Sequence, residues 1–84
     1  MALIDEVKIV LEKVKRMPGL AERLPDSAHL IDDVALDSLE MMEFMLELES
    51  RLALAIDFDR LDFSYLESIE KFTGILATMQ PSDA

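Results

Sequence analysis

The chain has no cysteine and no tryptophan, two glycines, three prolines and one histidine, and eight basic residues against eighteen acidic ones. Without cysteine the protein has no disulfide framework and no thiolate of its own to serve as nucleophile or metal ligand. A solitary histidine, His29, with no second histidine or cysteine near it, makes a poor zinc site and reads as a solvated or loop-packing residue. The same shortage argues against serine hydrolysis, which needs a base and an oxyanion hole around the nucleophile, and no G-x-S-x-G elbow occurs. The chain is therefore read as a non-enzyme. No apolar run approaches the roughly 18 residues of a membrane span. Asp5 and Glu6 interrupt what would otherwise be a signal-peptide core, so the expectation is a cytoplasmic protein. The deficit of basic charge, net −10, opposes contact with nucleic-acid phosphates. Asp32, Asp33 and Asp37 crowd carboxylates together, but without the alternating ligands, central Gly and closing Glu of an EF-hand loop. No dedicated metal site is expected.

What remains is a short, helix-forming, acidic chain. Its 84 residues give room for one domain, 1–84, with a modest core and marginal stability. Met at position 1 and ends without linker composition fit a freestanding protein, and a monomer is expected. The charge is segregated: residues 25–70 hold thirteen acidic and two basic residues, a net of −11, while residues 1–24 hold four acidic and five basic. Such a surface is steered toward basic patches on other proteins.

Residues 2–16 read as a first helix, with Leu3, Val7, Val10, Leu11 and Val14 on its inner stripe and charges placed to suit its macrodipole. Met17-Pro18-Gly19 stops it. Residues 17–36 form a long connection whose apolar side chains are numerous enough to lie on the helices, with a helical turn over 21–24. A second main helix opens at Asp37-Ser38, both good N-cap residues, and runs through strong helix formers to Leu52. Met41, Phe44, Met45, Leu48 and Leu52 share one face by three- and four-residue spacing. Leu39, Met42 and Leu46 form a second apolar row, bordered by Glu40, Glu43, Glu47 and Glu49. Ile56-Asp57-Phe58-Asp59 has no strand partner in the pattern and reads as an extended loop burying Ile56 or Phe58. A short helix or turn is expected within 60–66, with Phe63 and Leu66 inward. A last main helix is expected from Ile69, capped by Ser68, to about Met79, weakened by Gly74. Residues 81–84 read as a frayed tail. The fold class is all-α: a small bundle of three main helices and one short one, with a long loop between the first two.

Asp37-Ser38-Leu39 at the start of an acidic helix, with Leu30-Ile31-Asp32-Asp33-Val34 before it and Ser68-Ile69 opening a last amphipathic segment, resembles the acyl carrier proteins over nearly the whole chain. Glu40, Met42, Glu43, Leu48 and Glu49 match in kind the residues C-terminal to the serine in that family. Ala35 stands where many members have Gly. The resemblance implies that Ser38, flanked by Asp37 and Leu39, carries 4′-phosphopantetheine transferred from coenzyme A by a phosphopantetheinyl transferase. The arm would carry acyl intermediates as thioesters in fatty-acid, polyketide or related biosynthesis. It further implies a partner-binding face of Glu40, Met42, Glu43, Leu46, Glu47, Glu49 and Ile56, read by acyl-loading, elongating and acyl-transfer enzymes with basic docking patches. Two alternatives share the helices: a peptidyl or aminoacyl carrier, and an unmodified acidic interaction module docking through Leu39, Met42 and Leu46. The cluster Met41, Met42, Met45 reads either as core filler or as the wall of an adaptable cavity.

Overall fold

A computed structural model describes residues 2–81. The helix α1, Leu3–Lys15, buries Val7, Val10, Leu11 and Val14. Leu3, expected on the same stripe, is half-buried at the edge of the core. Arg16 ends α1 in the left-handed region at φ 56° and returns its amide to the last turn. One helical turn, α2, Leu20–Arg23, follows Gly19, whose φ of 84° suits a residue without Cβ. The long connection then lies against the bundle, burying Ala28, Leu30, Val34 and Leu36, while Ile31 stays exposed. Three backbone hydrogen bonds fasten it to the C-terminal third: Leu30 N–H to the Leu66 carbonyl at 3.0 Å, Ile69 N–H to Ala28 at 3.0 Å, and Glu70 N–H to Asp26 at 2.9 Å. These account for amides that a buried loop could not leave unpaired.

The helix α3, Ser38–Leu52, buries Phe44, Met45 and Leu48, and the helix α4, Ile69–Leu76, buries Ile69, Phe72 and Leu76. Phe44 and Phe72 meet at the centre, their ring centroids 5.3 Å apart and tilted by 34°, within the preferred range for aromatic pairs. Ser68 caps α4 by accepting the Lys71 amide at 3.0 Å. The all-α reading of the sequence is borne out.

Several local expectations are corrected. The helix α4 stops at Leu76, and Met79 is buried from beyond its end. In place of one short helix there are two 3-10 turns, Phe58–Arg60 and Phe63–Leu66. Asp57 and Asp62 begin them by accepting the amides of Asp59 and Ser64, the side-chain turn that favours Asp in such places. Those turns direct Phe63 outward, 86% exposed, and leave Phe58 at 55%. Of the two residues expected to be buried there, Ile56 is the one that is, 7% exposed. Pro81, expected in a frayed tail, pairs with Leu54 in a two-residue antiparallel ladder, Leu54–Ala55 with Gln80–Pro81. Positions 82–84 of that expected tail lie outside the described residues.

Candidate functional site

The N-terminus of α3 is built by a capping box. Asp37 is the N-cap: its Oδ1 accepts the Glu40 amide at 2.8 Å, and Glu40 Oε1 accepts the Asp37 amide at 3.1 Å. Ser38 is thereby the first helical residue and is free of any capping task. It is exposed, and its hydroxyl enters no hydrogen bond among the described residues, nor do the amides of Ser38 and Leu39. An exposed primary alcohol thus sits beside two unpartnered N–H groups at the positive end of a four-turn helix, a setting that suits a bound phosphate ester.

The approach to Ser38 is held by side chains on both sides of the loop. His29 Nδ1 accepts the amides of Ile31 and Asp32, each at 3.1 Å, and the His29 amide donates to Asp33 Oδ2 at 2.7 Å. The ring shapes the loop, as the sequence implied, and in its neutral form carries its proton on Nε2. Ala35 sits at φ 61°, the left-handed region that costs a residue with a Cβ about 1–2 kcal/mol. Lys15 Nζ donates to the Ala35 carbonyl and to Glu40 Oε1, both at 3.0 Å.

An open pocket of about 540 Å³ adjoins Ser38, walled on one side by Met41, Met42, Met45 and Leu46 of α3 and on the other by Phe58, Leu61, Phe63 and Leu66. Asp62 at its rim is held below its usual carboxylate range, chiefly by the hydroxyl and then the amide of Ser64. Of the residues marked out in the sequence, Ser38, Met42 and Leu46 are brought together here. The far wall was missed because its side chains belong to two 3-10 turns and the link between them, with no helical period to read.

The surface row fares as the spacing implied. Leu39, Met42 and Leu46 are 65%, 61% and 59% exposed. The glutamates beside them are less free than expected. Glu40 is engaged by Lys15 and the capping box. Glu47 pairs with Lys13 at 2.7 Å, and Glu49 accepts the Ile56 amide at 3.0 Å. Glu43 alone of the four makes no ion pair or hydrogen bond through its carboxylate among the described residues. Ile56, placed by the resemblance on the partner face, is buried and takes no part in that surface. No helix among the described residues is long and apolar enough to cross a membrane, and no cluster of three potential metal ligands occurs among them.

Comparison with known proteins gives a consistent result. Residues 8–76 match the family model described as a phosphopantetheine attachment site. Two curated relatives, both named acyl carrier protein and both from Brachyspira hyodysenteriae, one of them from strain ATCC 49526 / WA1, are 38% identical over 56 residues, which is 67% of this chain and 70% of theirs. No solved structure matches.

Proposed function

This chain belongs to the acyl carrier protein family, and from that premise we propose that Ser38 is the residue bearing its arm and that the cargo is an acyl chain. As a member the chain carries a covalent 4′-phosphopantetheine, whose terminal thiol supplies the thioester link that the cysteine-free protein lacks. The observation that carries the assignment is the state of Ser38: exposed, first in the helix, relieved of capping by Asp37, and with a hydroxyl that has no hydrogen-bond partner among the described residues. A serine locked into an N-cap would have to give up that bond to be modified. Here the capping box pairs the Asp37 and Glu40 amides with each other's carboxylates, so no cap bond holds the Ser38 oxygen back from a transferase. The free amides of Ser38 and Leu39 face the place where the phosphodiester would sit, and α3 orients it.

The apolar pocket favours acyl over aminoacyl or peptidyl cargo. Four side chains of α3 face four from residues 58–66 across it, with three methionines among them, a wall that adapts to chains of different length. The partners are a phosphopantetheinyl transferase and the acyl-loading, elongating and acyl-transfer enzymes of fatty-acid, polyketide or related biosynthesis. They would meet the exposed row Leu39, Met42, Leu46 with Glu43 free at its side, an apolar anchor within a charged rim. Incubating the protein with coenzyme A and a broad-specificity transferase should add one group per chain, and none to Ser38→Ala. Persistent modification of that variant would overturn the assignment.

A further inference from the structure

We propose that Lys15, on α1, is the positioning residue that holds the turn presenting Ser38. The inference rests on reading Ser38 as the attachment serine. The geometry points to it because the single ammonium makes two bonds and, through one of them, reaches a third. It donates to the carbonyl of Ala35 and to Glu40 Oε1, at 3.0 Å each, and that same carboxylate oxygen accepts the Asp37 amide. Ala35, Asp37 and Glu40 bracket Ser38 in the chain, and Lys15 reaches them across 20 and 25 residues of sequence.

Two features separate this contact from an ordinary surface pair. Its side chains are largely covered, Lys15 at 16% and Glu40 at 24% exposure, against 66% for Lys13 in its pair with Glu47. Exposed pairs of the latter kind contribute little, whereas charge-assisted bonds in a covered site are stronger and directional. The group on the other side is also under strain. An alanine in the left-handed region keeps that conformation only while its surroundings over-determine it. The ammonium on its carbonyl is one such restraint, beside the Leu36 amide bonded to Leu30 at 3.3 Å. Without Lys15, Glu40 is free to leave the Asp37 amide, half of the capping box opens, and Ala35 loses an anchor. The first turn of α3 would then sample positions from which the Ser38 oxygen is misaimed for displacement at phosphorus, although the exposed surface of α3 is unchanged.

The test compares Lys15→Met, Lys15→Arg and Lys71→Met. The last removes the same charge from an exposed pair between Lys71 of α4 and Glu67 just before that helix. Backbone amide exchange and transferase kinetics with coenzyme A are measured at a temperature where every variant is folded. In Lys15→Met the Asp37 and Glu40 amides should exchange about tenfold faster, as local opening of a charge-assisted network implies, while amides in the middle of α1 and α4 are unchanged. Transfer should show a kcat lowered by about tenfold with KM for the carrier nearly constant, the signature of a misplaced reacting group rather than lost docking. Lys15→Arg should restore most of both, since a guanidinium can serve the two acceptors. Lys71→Met should match the parent in both. Unchanged exchange at 37 and 40 in Lys15→Met overturns the proposal, as does faster exchange with unaltered kcat. Were Ser38→Ala modified as readily as the parent, the attachment reading would fail by itself, while the exchange comparison would still decide whether Lys15 holds the turn.

Discussion

Met42 and Met45 are neighbours on one helix and should respond to truncation in opposite ways. Met45 is 8% exposed and part of the core, while Met42 is 61% exposed. A buried methionine cut to alanine usually costs 2–5 kcal/mol (about 2–3 here), because Met45 borders the open pocket and its neighbours can relax into the space. For a domain of this size each kcal/mol moves Tm by about 4–8 °C, so Met45→Ala should melt roughly 10–20 °C lower. Met42 has about two-fifths of its surface covered, and full burial of such a side chain contributes about 1.5–3 kcal/mol. Its truncation should cost no more than about 1 kcal/mol, less whatever alanine returns in helix propensity. The complementary readout is binding. Met42→Ala should speed dissociation from the transferase, and Met45→Ala should not, at a temperature where it is folded. Thermal melts followed by circular dichroism, beside dissociation rates for both variants, make the comparison. Equal destabilisation by the two, or normal dissociation of Met42→Ala, would refute the division of α3 into a core face and a docking face.

Other contacts carry expectations of their own. A methyl at Gly74 meets nothing within 4 Å, so Gly74→Ala should stabilise α4 by about 1 kcal/mol, visible as a higher urea midpoint. Ala35→Gly should relieve the left-handed strain at φ 61° and, after the entropy glycine returns to the unfolded chain, gain about 0.5–1 kcal/mol in the same assay. With net charge −10, added salt or millimolar divalent cation should raise Tm by screening repulsion over about 8–10 Å; a Tm indifferent to both would contradict this. The carboxyl of Asp62 is depressed in the fold by Ser64, so its contribution is complete above the ordinary Asp range and is lost as pH falls through its lowered value. Asp62→Asn should accordingly flatten the acid limb of the stability profile.

The part of the site on α3 was legible because several local signals agree there. A capping pair, an unbroken run of helix formers and two interleaved apolar rows leave little choice of boundary or face. The charge pattern was legible only as a sum. Sequence shows a charge-balanced first third and an acidic middle. It does not show that Lys8, Lys13 and Lys15 settle on Asp26, Glu47 and Glu40, because that depends on how α1 lies beside the rest of the bundle. Two of the glutamates expected to greet partners are thereby engaged at home. The segment 54–66 was the least legible. Asp57 and Asp62 impose side-chain turns that override the apolar pattern, turning Phe63 outward. The ladder of Leu54–Ala55 with Gln80–Pro81 is too short to leave a periodicity.

The central claim is that Ser38 bears the arm and that the arm bears an acyl chain. Tandem mass spectrometry of the protein purified from its native cell tests both at once. The account predicts a single phosphopantetheine on the peptide containing Asp37-Ser38-Leu39, fragmenting at Ser38, with an acyl group that hydroxylamine releases from its thiol. An arm on Ser27, Ser50, Ser64 or Ser68, or an aminoacyl group in place of the acyl chain, would contradict it.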